Sequence, residues 1–186
     1  MNRGIIVIRD AFCREFCDAV ANTPTSFINA QVGPGTEINE DSTARRSQVS
    51  FFDGYFQNPE LFEVVLPFIH KVNKEHFKFE LFNVEQLQLT KYDHANQGFY
   101  TPHEDTDEPN ELGLIRKLSF TIQLTDPTKY QGGRLVFPDI PDYDPSTTLE
   151  QGTAIVFPSY VVHGVDPVTS GVRYSLVGWA RGPQFR

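Results

Sequence analysis

The chain has 186 residues, a formal net charge of −8 at neutral pH, 39% hydrophobic residues and 13% aromatic residues. This length and apolar content predict one folded domain with a sizeable core and exclude wholesale disorder. The negative charge argues against general binding to nucleic acid or to an anionic membrane surface, and among charged partners it favours a basic peptide.

The N-terminal segment predicts a strand followed by a helix. Residues 4–9 form a short apolar run, and Asp10 is placed to cap a helix that extends to about residue 21. Apolar residues recur every four positions, which predicts one inward face. The residues of that face are Phe12, Phe16 and Val20.

The only cysteines, Cys13 and Cys17, lie one helical turn apart. This spacing favours two buried small side chains over a secreted disulfide framework or half of a zinc site. The apolar run before them is too short for a signal peptide, and no stretch has transmembrane length. We therefore expect a reducing, cytoplasmic location.

Residues 29–50 are rich in Gly, Pro, Asn, Ser, Thr and charge and have no hydrophobic period, which predicts a long loop. A loop of this length is a candidate lid over a substrate. Arg45 and Arg46 within it are able to contact an anionic group, but solvated surface arginines are the more common case.

A second helix is predicted over residues 58–77. Asn58 is a suitable cap, Pro59 suits the first helical position, and an acidic residue follows. Pro67 lies inside the apolar pattern and is expected to kink or split the helix. His70 and His76 have no ligand partner at a metal-binding offset, so we expect both to be surface or packing residues.

From residue 78 onward the pattern is mainly β. Gly- and Pro-rich turns separate the apolar runs, and Leu118, Phe120, Ile122 and Leu124 alternate with polar residues as in a half-buried strand. The predicted strands cover residues 84–92, 118–125, 134–137, 153–157 and 172–180. This pattern predicts an α+β, mainly β fold: a double-stranded β-helix (jelly-roll or cupin-like) core over residues 78–186, with a helical support region over 1–77 packed outside.

Two short motifs suggest a metal site. His103 and Asp105 are two residues apart, so an extended backbone points both side chains to one side. With His163 as third ligand they form a 2-His-1-carboxylate set, which suits Fe(II) in oxygen-activating enzymes. The alternative is a solvated acidic turn, because His103 precedes a run of acidic residues.

Arg173 and Ser175 are predicted to share a strand face ten residues beyond His163. A guanidinium and a hydroxyl together suit a carboxylate, so the pair predicts an anchor for a dicarboxylate. The alternative for Arg173 is a salt bridge at a strand end. Two further functions stay open: a binding module without catalysis and a metal hydrolase.

From about residue 87 to the C-terminus, the chain resembles the prolyl 4-hydroxylase-type branch of the Fe(II)- and 2-oxoglutarate-dependent dioxygenases, especially short single-domain forms of bacteria and tailed phages. The matching residues and motifs are Tyr92, Tyr100-x-x-His103-x-Asp105, Arg116, Gly132-Gly133-Arg-Leu-Val-Phe-Pro138, Gly152-x-x-x-x-Phe157-Pro158, and His163-x-x-x-Pro167-Val168-x-x-Gly171-x-Arg173.

The resemblance implies that His103, Asp105 and His163 bind iron and that Arg173 pairs with the far carboxylate of 2-oxoglutarate. It implies co-substrate contacts from Tyr92, Gln123 and Ser175. Substrate contacts are implied for Tyr100, Arg116 and Trp179, of which Trp179 has plain core packing as its alternative.

The implied reaction consumes O2 and releases succinate and carbon dioxide, with ascorbate as a stimulating agent. The implied substrate is a prolyl residue in a peptide or protein, and other residues or small molecules are the alternative acceptors.

Overall fold

Two antiparallel sheets pack face to face in the computed structural model, which describes residues 4–31 and 43–185. The larger sheet has eight strands in the order β1-β10-β7-β12-β5-β4-β2, with β8 paired to β12, and the smaller has the order β3-β6-β11-β9. The predicted mainly β, jelly-roll-like fold is confirmed.

The strands are β1 (Ile6–Ile8), β2 (Ile28–Asn29), β3 (Arg45–Arg46), β4 (Gln48–Phe52), β5 (Asn83–Asp93), β6 (Phe99–His103), β7 (Leu114–Gln123), β8 (Tyr130–Gly132), β9 (Leu135–Val136), β10 (Ala154–Pro158), β11 (His163–Val165) and β12 (Val168–Pro183).

The two helices, α1 (Arg14–Ala21) and α2 (Pro59–Val72), cover the outer face of the larger sheet. Their apolar residues share one core with alternate residues of β5, β7, β10 and β12, because successive strand residues point to opposite faces. The inner face is thereby left for the cavity between the sheets. Within the described residues, neither helix has the length and apolar composition needed to cross a bilayer.

The predicted start of α1 is wrong. Asp10 has a left-handed φ of 50° in the turn after β1, and the helix begins at Arg14 with no side-chain cap from Cys13. Cys17 is buried as predicted, but Cys13 is exposed, because it precedes the first turn of the helix.

Pro67 does not split α2, which continues from Pro59 to Val72 and then into a π-helical turn over Asn73–Phe77. Pro67 is exposed, so the carbonyl left without its helical donor faces water. His70 and His76 are exposed, as expected for surface histidines.

The predicted loop over residues 29–50 is wrong in its described part. The strand β4 pairs with β5, and β3 pairs with β6 at the edge of the smaller sheet. Arg45 and Arg46 are half-buried over aromatic rings, not solvated. Residues 32–42 of the candidate lid lie outside the described residues.

The strand β7 is buried on both faces, which corrects the half-buried prediction. Leu118, Phe120 and Ile122 face the helices, while Ser119 and Gln123 on the opposite face are also inaccessible. The polar side chains face the cavity between the sheets, not bulk water, so this strand lines the site described next.

Candidate functional site

The neighbouring strands β6 and β11 each carry one of the predicted histidines. His103 and His163 are direct partners across the two strands. Asp105 lies two residues beyond β6, and its backbone N–H donates to the carbonyl of Ser159 at 2.9 Å. Strand pairing therefore brings the two imidazoles together, and the turn at Ser159 holds the carboxylate beside them.

The three side chains direct ligand atoms at a common point. Nε2 of His103 lies 3.6 Å from Oδ1 of Asp105, and Nε2 of His163 lies 3.4 Å from Oδ2. One ion with bonds of about 2.1 Å at right angles separates neighbouring ligand atoms by about 3 Å. All three ligand atoms lie within 4.8 Å of one another, so small side-chain shifts close them on one ion.

Backbone carbonyls fix both imidazoles. Nδ1 of His103 lies 2.8 Å from the Thr101 carbonyl, and Nδ1 of His163 lies 2.9 Å from the Val161 carbonyl. Because a carbonyl oxygen only accepts, each Nδ1 carries the proton and donates it. Each Nε2 then keeps a lone pair for a metal.

The protonation states agree with this arrangement. Burial lowers the pKa of His163, which keeps the imidazole neutral at neutral pH. Burial by itself raises the pKa of the Asp105 carboxyl, but the neighbouring His103 and His163 imidazoles outweigh burial and hold the pKa below its ordinary value. The site therefore presents a carboxylate beside two imidazoles, of which the buried His163 is neutral.

Asp105 also has an aromatic neighbour. The indole of Trp179 contributes to the lowered pKa of the carboxyl, although its buried Nε1 has no partner at hydrogen-bond geometry. Trp179 therefore lies beside the metal-ligand set.

Arg173 lies deep between the sheets and is 1% exposed. Its Nε and Nη2 both donate to Oε1 of Gln123, at 3.1 and 2.8 Å. Among the residues that the structure describes, its Nη1 is buried without a hydrogen-bond partner, and no carboxylate pairs with the guanidinium. A buried guanidinium with no carboxylate partner is costly, so this geometry suits an anionic group from outside the chain.

Two side chains beside Arg173 also have buried polar atoms with no partner among residues 4–31 and 43–185: Nε2 of Gln123 and the hydroxyl of Tyr130. Arg173 opposes the burial that raises the pKa of Tyr130, which places the phenol close to the guanidinium. A side chain at Gly133 would come within 3.1 Å of Arg173 and 3.7 Å of Tyr130, so glycine permits the approach. A carboxylate accepts several such donors at once.

Tyr92 and Ser175 lie beside this pocket. Tyr92 pairs with Arg173 across β5 and β12, and the guanidinium carbon is 5.5 Å from its ring centroid. Ser175 is buried and pairs with Gln123. All the residues predicted for the carboxylate are thus brought together.

The residues present fit both implied groups. Two nitrogens and one carboxylate oxygen on one side of a common point leave the other side open, which is the donor set for Fe(II). The unpartnered donors around Arg173 fit a carboxylate of 2-oxoglutarate.

Comparison with known proteins places the chain in a family. The model of the 2OG-Fe(II) oxygenase superfamily matches residues 87–181, just over half of the chain. The chain belongs to this superfamily. The match begins in β5 and includes every metal-ligand candidate and Arg173.

Curated relatives of this 2OG-Fe(II) oxygenase are called PKHD-type hydroxylases. One from Maricaulis maris is 43% identical over 82 residues, which is 44% of this chain and 36% of the relative. One from Idiomarina loihiensis is 32% identical over 107 residues, 55% of this chain and 47% of the relative. The matched part thus spans less than half the length of these relatives.

Solved structures share the fold of this oxygenase across nearly the whole chain. The viral collagen prolyl hydroxylase of Paramecium bursaria Chlorella virus-1, in a complex with 2OG, has a TM-score of 0.72 at 18% identity, covering 97% of each chain. A Pseudomonas putida prolyl-4-hydroxylase has a TM-score of 0.69 at 20% identity, covering 98% of this chain and 95% of that one.

The predicted substrate-side residues of the oxygenase are in contact with other parts of the protein. Tyr100 stacks on His103 with ring centroids 3.6 Å apart. Arg116 lies over the indole of Trp179 at 4.1 Å, and Trp179 is only 7% exposed. Arg116 therefore covers one face of the indole that the sequence assigned to a substrate ring.

Sequence analysis missed a charged cluster formed by Glu85, Asp107, Arg116 and Arg181. Arg181 donates to both carboxylates and to the carbonyl of Leu114, and Arg116 donates to Glu85 at 3.0 Å. Asp107 also accepts the backbone N–H of Arg116. The cluster anchors the segment that follows Asp105. The only sign of this cluster in the sequence is Arg181. It lies near the end of β12 at an even number of residues from Arg173, which predicts that both side chains share one strand face.

Proposed function

We propose that the chain is an Fe(II)- and 2-oxoglutarate-dependent dioxygenase that hydroxylates a prolyl residue in a peptide or protein. The observation that carries the proposal is that the chain holds both a 2-His-1-carboxylate set and a buried arginine with no carboxylate partner among the described residues. A module that only binds an acid has no use for the metal-ligand set. The matched hydroxylases and prolyl hydroxylase folds support the acceptor class.

In this proposal His103, Asp105 and His163 hold the iron, and Arg173 with Gln123 and Tyr130 receives the far carboxylate of 2-oxoglutarate. Tyr92 and Ser175 contact the same molecule. When bound, iron and 2-oxoglutarate supply the oxidation of a C–H bond by O2, with release of succinate and carbon dioxide. Stimulation by ascorbate stays a prediction of the resemblance.

The protein itself orients the metal ligands and the co-substrate and excludes water from the site. The carbonyls of Thr101 and Val161 hold the two imidazoles with Nε2 toward the ion. The rings of Phe137 and Phe157 pack on His163, at centroid distances of 6.1 and 4.6 Å, and keep water from that side. Arg173 fixes the co-substrate by paired donors in a site of low dielectric, where such bonds are strong.

The proposed substrate is a basic peptide containing proline. Glu104, Glu108 and Glu111 are exposed and lie close in sequence to the metal-ligand Asp105, and we infer that their charges give the approach to the site a negative potential. Such a potential attracts Lys or Arg near the target residue, and salt weakens the attraction. One related fold, from Trichoplax adhaerens, is a prolyl hydroxylase in complex with a peptide fragment.

The acceptor is tested with neutral and basic proline peptides and with free L-proline, in the presence of Fe(II), 2-oxoglutarate and O2. We expect basic peptides to gain the mass of one oxygen atom, with matching succinate release, and to lose their advantage as salt is raised. Turnover of free proline equal to that of any peptide would overturn the prolyl-peptide acceptor. So would normal binding of iron and 2-oxoglutarate with no peptide oxidised, which would leave another residue or a small molecule as acceptor.

Tyr130→Phe removes one donor from the carboxylate pocket. We expect the apparent Kd for 2-oxoglutarate to rise about threefold to tenfold, the typical net worth of one hydrogen bond, with metal binding unchanged. The matched control is Tyr143→Phe, because the Tyr143 hydroxyl is already bonded to Thr148 at 3.0 Å. Calorimetric titration of both variants decides the matter: equal affinities would remove Tyr130 from the pocket.

A further inference from the structure

The short strand β3 lies at the edge of the smaller sheet and pairs with β6, which carries His103. Arg45 pairs with Tyr100, and Arg46 pairs with Phe99. The N–H of Thr101 donates to the carbonyl of Ala44 at 2.9 Å. Arg45 therefore contacts Tyr100, and Ala44 contacts Thr101. Both Tyr100 and Thr101 contact His103.

Arg45, Tyr100 and His103 form a continuous stack. The guanidinium carbon of Arg45 lies 4.5 Å from the centroid of Tyr100. The Tyr100 ring is nearly parallel to the His103 imidazole, at 20° and 3.6 Å between centroids. Nε of Arg45 is held by Oγ of Ser47 at 2.7 Å, which fixes the guanidinium over the phenol.

The electrostatics of the stack depend on whether His103 binds a metal. An aromatic face attracts cations, and an imidazole gains positive character when its Nε2 donates to a divalent ion. The Tyr100 ring then contacts both a guanidinium and a partly cationic imidazole, and it attracts both. Holding the ring flat also fixes the plane of the imidazole, which determines where Nε2 points.

We propose that Arg45 is a positioning residue of the metal centre, which acts on His103 through Tyr100. The inference rests on the proposed function, because it requires His103 to bind a metal. Arg45 reaches no ligand atom itself. Its effect is to keep Tyr100 against His103 so that the imidazole meets the ion in one orientation.

The chain offers a matched control on the same two-residue strand. Arg46 lies over the ring of Phe99 at 4.8 Å, and its Nη1 donates to the carbonyl of Asn96. Arg46 therefore has the same kind of cation-to-ring contact, without the link to His103. Arg45→Met and Arg46→Met each remove one cation-to-ring contact from β3.

The test is anaerobic titration of the metal-free protein with Co(II), whose visible ligand-field bands report both affinity and ligand geometry. We expect Arg45→Met to weaken Co(II) binding about threefold to tenfold and to alter the bands. Arg45→Lys, which keeps a cation, should bind within about twofold of wild type. Arg46→Met should match wild type in affinity and spectrum.

The coupling through Tyr100 is measured by a double-mutant cycle. In a Tyr100→Leu background, Arg45→Met should change Co(II) affinity less than about twofold, because the intervening ring is gone. A full effect in that background would overturn the inference, as would equal effects of Arg45→Met and Arg46→Met. Arg45→Lys that behaves like Arg45→Met would also overturn it.

The same titrations distinguish a failure of the proposed function from a failure of the positioning role of Arg45. If wild-type protein binds Co(II) no more tightly than His103→Ala does, the metal site is wrong, and the role of Arg45 falls with it. If wild-type protein binds Co(II) through His103 and Arg45→Met binds it equally well, only the positioning role is overturned. Thermal unfolding of the metal-free variants completes the test, since a purely structural contact shifts the midpoint of both Met variants alike.

Discussion

Asp105→Ala and His103→Ala should each abolish the visible charge-transfer band that Fe(II) and 2-oxoglutarate produce together under anaerobic conditions. Each variant removes one of three ligands whose atoms lie within 4.8 Å of one another. The two ligands that remain do not hold the ion in the three-ligand arrangement that binds the 2-oxo acid. Hydroxylation should fall below detection in both variants.

His94→Ala is the matched control for this result. His94 also lies beside an aspartate, with Nδ1 3.5 Å from Oδ1 of Asp93, but it is exposed and is not part of the three-ligand cluster found among the described residues. Its removal should leave the band at wild-type intensity. An undiminished band in both Asp105→Ala and His103→Ala would refute the ligand assignment.

Arg173→Leu should raise the apparent Kd for 2-oxoglutarate about tenfold or more while Fe(II) binding survives. The substitution keeps apolar bulk but removes a charge-assisted, paired donor from a buried pocket. It also leaves Oε1 of Gln123 buried without its donors, which costs about 1–3 kcal/mol of unfolding free energy, and removal of the costly buried charge offsets that loss. Calorimetric titration and thermal unfolding measure the two effects.

Arg134→Leu is the comparison for Arg173. Arg134 is also paired with a side chain, Asp166, but it is largely exposed, and exposed ion pairs contribute little. We expect its affinity for 2-oxoglutarate to equal that of wild type. An unchanged affinity in Arg173→Leu would return that residue to a structural role.

The metal-ligand geometry was predictable because it depends on local rules. His103 and Asp105 share a side through the two-residue period of an extended chain, and His163 in the second motif was named as the third ligand before the family resemblance supported it. The structure then brought these atoms together by pairing β6 with β11. The division into a support region over 1–77 and a core over 78–186 stays a prediction.

Residues that act through distant pairing were not predictable. Arg45 has no local signal, because β3 has two residues and acquires its position only from β6, more than fifty residues later. The position of Tyr130 near Arg173 likewise depends on the pairing of β8 with β12. Alternation along β7 was found correctly, but a pattern of polar and apolar residues does not distinguish water from a polar cavity.

The strand β12 has a consequence for how this protein tolerates change. Arg173, Ser175, Trp179 and Arg181 all lie on its inner face, at odd-numbered positions, while Leu176 and Ala180 face the helices. A substitution there alters one contact, whereas a one-residue deletion upstream of Arg173 that shifts the strand would turn every one of these side chains to the opposite face. Length variation in natural or laboratory variants should therefore be confined to the turns, while β12 admits changes of residue type alone.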